Sequence, residues 1–160
     1  MEAPAATYSP KERSKTMAPK GPVAKAATKI KASVEEVWDA LVNPEKIKQY
    51  MFGSEVTSDW KEGSSITWKG EWQGKQYEDK GEILQAVPPD LIQYSHYSPL
   101  SSLPDIPENY HMVTMQLSKE DEYTRLSLTQ DNNVDQKAAD HSTENWNAML
   151  AKLKEMLETK

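Results

Sequence analysis

Several residue types are scarce in this chain. Its 160 residues include no cysteine and only one phenylalanine. The lack of cysteine excludes disulfides, thiolate metal sites and cysteine nucleophiles. Leu, Ile, Val and Phe together number 26, about 16% of the chain, which is below the ~20% where disorder becomes a serious alternative. Either the chain is disordered or other residues build its interior.

Long apolar runs and excess positive charge are absent as well. No run approaches the ~18–20 apolar residues of a membrane span. The first 26 residues contain no apolar segment typical of a secretory signal, so we expect a cytoplasmic location. With 19 Lys and Arg against 25 Asp and Glu, the net charge is −6. This balance argues against nucleic acid as a partner, because phosphates are bound by basic surfaces.

Tryptophan and tyrosine supply the missing apolar area. The chain has five Trp and seven Tyr, which combine a large apolar ring with a polar atom. A net charge of −6 over this length is mild, and disorder needs low hydrophobicity together with high net charge. The composition therefore favours a folded domain whose interior contains aromatics with polar ends.

The chain divides into a tail and one domain. Residues 1–22 contain four of the ten prolines and almost no large apolar side chain, a composition typical of a flexible, solvated extension. We predict a basic tail over residues 1–22 and a single domain over residues 23–160, a usual domain length.

Periodicity predicts an α+β domain. A weak strand over residues 24–32 precedes the capping-box pattern Ser33 to Glu36, which predicts a helix. Asn43-Pro44 ends that helix and opens a second short one. Residues 66–72 alternate strictly, and further strands are predicted at 76–86, 91–98, 111–118 and 123–130. The last segment, about 22 residues, has the apolar face of an amphipathic helix.

An ordered set of segments runs through the chain: V-x-x-V-W-D-A-L-V-N-P-E-K-I at 34–47, G-x-x-x-x-x-D-W-K-x-G at 53–63, Gly-Glu-Trp at 70–72, Tyr-Glu-Asp-Lys-Gly at 77–81, His-Tyr-Ser-Pro-Leu at 96–100, Pro-Glu-Asn-Tyr-His at 107–111, Thr-Gln-Asp-Asn at 129–132 and the Trp-containing last helix. Together these segments resemble the family of homologues of the activator of the Hsp90 ATPase, within the START-like (Bet v 1-like, SRPBCC) superfamily. The resemblance covers about residues 24–158.

The resemblance implies a helix-grip fold. In that fold a curved antiparallel sheet of about six or seven strands surrounds a long C-terminal helix, with two short helices after the first strand. Members of the superfamily typically enclose a cavity between sheet and helix that takes apolar molecules, and a few are cyclases or aromatases. The element order that the resemblance implies is the one that periodicity predicts.

Candidate cavity residues are the aromatic, Met and His positions of the strands and the last helix. Core packing is the simpler explanation for any one of them, but Trp and Tyr with spare polar atoms also suit an apolar cavity, and Met suits loose recognition. The candidates are Trp68, Trp72, Tyr94, His96, His111, Met115, Trp146, Met149, Leu150 and Leu153.

Catalytic and metal signals are weak. His96 and His111 meet if their strands pair, yet structural roles suffice to explain them. His141 and Glu144 stand three apart on the last helix, a spacing that can share a metal, but surface pairing explains it and no further ligands follow. Carboxylate pairs such as Glu78-Asp79 are common in an acidic chain. We therefore assign no catalytic residue, no metal and no cofactor.

Three functions remain open. The first is a module that binds a hydrophobic or lipid-like molecule of unknown identity. The second is an interaction protein that regulates an Hsp90-type chaperone. The third is a cyclase- or aromatase-like enzyme, for which Tyr94, His96 and His111 are the only candidate groups.

Overall fold

The structure, a computed structural model, describes residues 20–159 and has the element order that the sequence predicts. Seven strands and three α-helices are present in this part of the chain: β1 Ala24–Ile30, α1 Val34–Val42, α2 Pro44–Tyr50, β2 Glu55–Ser58, β3 Ser65–Trp72, β4 Lys75–Val87, β5 Leu91–His96, β6 His111–Glu120, β7 Tyr123–Gln130 and α3 Gln136–Glu158. The predicted loop before β6 contains two short 3-10 turns, Pro99–Ser101 and Pro107–Asn109. Residues 1–19 of the predicted tail lie outside the described residues.

All strands pair antiparallel in one sheet of order β1-β7-β6-β5-β4-β3-β2. The long strand β4 pairs with β3 through its first part and with β5 through its last part. Gly81 lies at this change of partner, where a Cβ atom would come within 1.7 Å of the Ser95 carbonyl oxygen. Only glycine allows two backbones to approach this closely. The sheet curves around α3, and the helix-grip fold is confirmed.

The two short helices begin and end as predicted. The Ser33 side chain accepts a hydrogen bond from the Glu36 backbone N–H, and the Glu36 carboxylate accepts one from the Ser33 N–H, so the capping box is present. Asn43 ends α1 and its side chain caps α2, whose first residue is Pro44. These contacts satisfy N–H groups that lack partners at a helix start.

The core lies between the sheet and the helices. Apolar side chains of β1, β5, β6, β7, α1 and α2 form one buried cluster with α3, in which Leu150, Leu153 and Leu157 are almost fully buried. The helix α3 packs mainly on β1 and also contacts α1 and α2. Its C-terminal half is therefore held by a closed apolar interface.

The chain enters the fold beside the loop between β7 and α3. The Lys20 backbone N–H donates to the Asp131 carboxylate, and the Lys20 and Pro22 carbonyls accept from the backbone N–H groups of Asn132 and Asn133. None of the helices within residues 20–159 is long and apolar enough to cross a bilayer.

Candidate functional site

A cavity of about 640 Å³ lies between the curved sheet and the N-terminal half of α3. Its walls come from β3, β4, β5, β6, β7, α3 and the segments after α2 and β5. Twenty residues line it: Met51, Phe52, Ser54, Trp68, Glu71, Trp72, Tyr77, Asp79, Tyr94, His96, Ser98, Leu100, His111, Val113, Gln130, Ser142, Asn145, Trp146, Ala148 and Met149.

Aromatic rings form much of the cavity wall. Trp68 on β3 is buried, and its ring lies 5.1 Å from that of Tyr94 on β5. On the opposite side α3 contributes Trp146 and Met149. At the mouth, Phe52 and Trp72 are more than half exposed. The cavity is thus an apolar space that opens through an aromatic rim.

One carboxylate and one imidazole face each other in this apolar wall. His96 Nε2 lies 2.9 Å from Asp79 Oδ2, and the His96 ring meets Trp68 edge-on with 4.9 Å between centroids. The other Asp79 oxygen, Oδ1, is buried and has no hydrogen-bond partner among residues 20–159. Such a pair orients the imidazole. It compensates only part of the free energy that burial of the carboxylate costs.

His96 and His111 occupy opposite positions on β5 and β6. Their rings stack with 6.1 Å between centroids. The two histidines therefore meet, as the sequence analysis expected if these strands pair. His111 Nδ1 lies 2.8 Å from the Asp131 carbonyl oxygen, so this nitrogen carries the proton and donates it. The Asp131 carboxylate accepts from the Met112 N–H at 2.7 Å. The loop after β7 thereby fixes the orientation of His111.

Tyr94 and Gln130 add further polar atoms to the wall. Tyr94 is only 5% exposed, and burial raises the pKa of its hydroxyl above the ordinary range. The indole N–H of Trp146 donates to Gln130 Oε1, which directs the Gln130 NH₂ group away from that ring. These groups can form hydrogen bonds with an enclosed molecule.

A second polar pair lies on the β3–β4 side of the cavity. The hydroxyls of Ser54 and Tyr77 are 2.6 Å apart. The Tyr77 ring packs over Gly70, where a Cβ atom would come within 2.5 Å of the Tyr77 hydroxyl oxygen. Glycine at this position therefore leaves room for the Tyr77 side chain along the cavity wall.

Seven of the ten predicted candidates line the cavity, and their role in binding stays a prediction: Trp68, Trp72, Tyr94, His96, His111, Trp146 and Met149. The structure places Met115, Leu150 and Leu153 in the packed core instead. Met115 lies beside a void of about 20 Å³ that is too small for a ligand. Strand and helix periodicity assigns a face to a residue, but it does not show where along that face the packing opens.

Sequence reasoning passed over Asp79 and Gln130. Asp79 was one of many acidic residues, and only the pairing of β4 with both neighbours brings it to His96. No signal in the sequence distinguishes Gln130. His141 lies exposed on α3, and residues 20–159 contain no group of three or more His, Asp and Glu that could hold a metal ion.

The family of the chain follows from a sequence comparison. The profile of the "Activator of Hsp90 ATPase homolog 1-like protein" family matches residues 31–158. The chain belongs to this family. The match spans strands β2 to β7 and all three helices, so every residue that lines the cavity lies within the family region. No curated protein sequence matches the chain.

Solved structures place the protein among helix-grip folds. The solution structure of ChR145 from Cytophaga hutchinsonii is 56% identical, with a TM-score of 0.77 over 89% of this chain and 97% of ChR145. The solution structure of the Aha1 dimer from Colwellia psychrerythraea is 21% identical, with a TM-score of 0.67 over 86% of this chain and 96% of Aha1. DynU16, a protein of the dynemicin biosynthetic locus, is 19% identical, with a TM-score of 0.71 over 86% of this chain and 47% of DynU16.

Proposed function

We propose that this protein binds a small, largely apolar molecule in the cavity between its sheet and α3. The observation that carries the proposal is an apolar space of about 640 Å³ with a few polar atoms in its wall. Ligand sites in proteins are typically ~300–1,000 Å³, mostly apolar, and contain a small number of placed polar groups. The cavity has each of these properties.

The composition of the wall supports binding over simple packing. Buried polar atoms cost free energy unless they form hydrogen bonds, yet Asp79 Oδ1 is buried in the wall without a partner among residues 20–159. A bound molecule with a polar group would compensate this cost. Family membership supports the same function, because the resemblance implies a cavity for apolar molecules.

Fluorescence of N-phenyl-1-naphthylamine, an uncharged probe that brightens in apolar surroundings, tests the proposal. We expect saturable binding with one probe per chain. Val113→Phe should weaken binding at least about tenfold, because Val113 lines the cavity and a larger ring would fill it. The matched control is Val134→Phe, since Val134 is 76% exposed outside the cavity.

Folding of each variant is checked by urea unfolding. If Val113→Phe does not fold, Ala148→Phe replaces it, because Ala148 is an exposed residue of the cavity wall. Equal probe affinity for the wild type, the cavity variants and Val134→Phe would contradict the proposal.

Regulation of an Hsp90-type chaperone is the second candidate, and the family match favours it. Several apolar side chains near the cavity mouth are exposed and could contact a large partner: Phe52, Trp72, Leu100, Leu103 and Ile106. An ATPase assay with an Hsp90-type chaperone tests this function. If the protein regulates the chaperone, the ATP turnover of the chaperone should change at saturating protein. The change should be smaller for the Trp72→Ser variant. Unchanged turnover would exclude it.

A further inference from the structure

We infer that the cavity selects apolar molecules that carry a protonated amine and rejects those that carry a carboxylate. The inference rests on the proposed binding function and names the chemical class of the ligand. It follows from which charged groups line the cavity, from the incomplete hydrogen bonding of Asp79, and from the aromatic faces around that residue.

The lining residues lack any permanent positive charge. Among the twenty described residues of the wall there is neither Lys nor Arg, although the chain contains 19 of them. The wall contains two carboxylates, Asp79 and Glu71. An anionic ligand would lose its hydration without gaining a cationic partner, which is costly in an apolar site.

Asp79 is the deeper of the two carboxylates. Its side chain is 15% exposed, and its Oδ2 forms a hydrogen bond with His96 Nε2. With Oδ1 unpartnered among residues 20–159, the negative charge is only partly compensated. An ammonium group placed beside this carboxylate would form a charge-assisted hydrogen bond.

The surrounding rings suit a cation as well. Trp68 and Tyr94 are buried beside the Asp79–His96 pair, and Trp146 faces them from α3. The faces of Trp and Tyr attract ammonium groups, most strongly where water is excluded. The Tyr94 hydroxyl is a further oxygen of the cavity wall and can accept an N–H.

The other titratable groups near the site include the tyrosines of the wall, His111, Glu71 and Lys152. His111 donates from Nδ1 to the Asp131 carbonyl oxygen and stacks on His96. Lys152 lies outside the wall, with Nζ 5.7 Å from the centre of the exposed Phe52 ring. Binding is compared at one pH, so that the protonation of the protein is the same for every probe.

Three probes that share one ring system and differ in charge test the inference: 2-(1-naphthyl)ethylamine, 2-(1-naphthyl)ethanol and 1-naphthylacetate. Each displaces N-phenyl-1-naphthylamine from the full chain. We expect the amine to bind at least about tenfold more tightly than the acetate, with the alcohol between them, since one favourable charge contact is typically worth this factor.

The Asp79→Asn variant identifies the group responsible. Its amide oxygen can still accept from His96, while the negative charge is gone. We expect this variant to bind the amine and the alcohol with about equal affinity. The matched control Glu71→Gln, at an exposed position on β3, should keep most of the preference because solvent screens its charge.

The possible results separate the inference from the binding function. Equal binding of the three probes, or tighter binding of the acetate, would overturn the inference and leave the binding function in place. An amine preference that survives in Asp79→Asn would overturn the role of this carboxylate. Failure of all three probes and of N-phenyl-1-naphthylamine to bind would overturn the binding function and the inference together.

Discussion

The two halves of α3 meet the sheet in different ways. Toward the C-terminus, Leu150, Leu153 and Leu157 are buried in the main apolar cluster. Toward the N-terminus, the sheet-facing positions include Ser142 and Trp146, and the space of about 640 Å³ remains. A helix that packs closely along its whole length would leave no such space. The closed half therefore contributes stability, and the open half leaves the space that we propose as a site.

The strands opposite show the same division. Beside the closed half, β1, β6 and β7 contribute aliphatic residues such as Ile30, Leu117 and Leu126. Beside the open half, the cavity separates α3 from the sheet, and its wall there includes Trp68, Tyr94 and His96, which carry polar atoms. Aliphatic side chains thus predominate in the closed half of the interface, and the open half is lined by Trp68, Trp72, Tyr77, Tyr94 and Trp146.

Truncation in the closed half should cause the largest loss of stability. Leu153 is fully buried, so Leu153→Ala should lower the free energy of unfolding by about 4 kcal/mol. Met149→Ala, which enlarges an existing cavity, should cost about 2 kcal/mol. Urea unfolding measures both values. Equal losses at the two positions would contradict the division between a closed and an open half.

Substitutions at two glycines compare a rigid neighbour, the backbone of another strand, with a movable one, the end of a side chain. Gly81→Ala should cost about 3 kcal/mol, because the new methyl group would meet the Ser95 backbone oxygen. Gly70→Ala meets only the end of the Tyr77 side chain, which lines the cavity and has space to move. We expect a cost of about 1 kcal/mol there. Thermal and urea unfolding compare the variants, and a larger cost at Gly70 would argue that the cavity cannot accept Tyr77.

The polar contact between α3 and β7 should contribute less. Trp146→Phe keeps most of the apolar ring and removes the N–H that donates to Gln130. We expect a loss of about 1 kcal/mol, the usual net value of one hydrogen bond. A matched change is Trp38→Phe on α1, since Trp38 does not line the cavity. Only Trp146→Phe should alter the affinity for N-phenyl-1-naphthylamine.

The smallest effect is expected in the segment between β5 and β6. Asp105 accepts hydrogen bonds from Lys80 and Tyr110, and these contacts lower the pKa of its carboxyl. A lowered pKa in the folded state stabilises the fold above the ordinary pKa of Asp, ~3.9, and this contribution is lost as the pH falls. Because the pair is largely exposed, Asp105→Asn should cost only ~0.5 kcal/mol at pH 7.

Urea unfolding of the wild type and Asp105→Asn at pH 7 and pH 3 checks this sign. The difference in unfolding free energy should be smaller at pH 3 than at pH 7, because the carboxyl of the unfolded chain is then largely protonated and the stabilisation from the lowered pKa is partly lost. A difference that grows at low pH would contradict the assigned cause.

Local patterns were sufficient to predict most of the fold. The capping box at Ser33, the stop at Asn43-Pro44 and the alternation around Trp68 each depend on nearby residues, and the corresponding elements are present. The order of elements then leaves few ways to bury the apolar face of α3, and the helix-grip arrangement is one of them.

The site depends on contacts between distant residues, which sequence patterns do not encode. Asp79 reaches His96 only because β4 pairs with β3 and β5 in succession around Gly81. Met115 shares a strand face with cavity residues but lies where the packing is closed. The sequence therefore predicted the kinds of residue in the wall, while the position of the opening required the structure.

The indole N–H signals of the five tryptophans in a ¹H–¹⁵N correlation spectrum test the central claim most directly, namely that the space beside α3 holds an apolar molecule. Trp68, Trp72 and Trp146 line the cavity, whereas Trp38 and Trp60 do not. On addition of N-phenyl-1-naphthylamine, we predict shifts of the Trp68 and Trp146 signals, with those of Trp38 and Trp60 unchanged. Unshifted Trp68 and Trp146 signals at saturating probe would contradict the account.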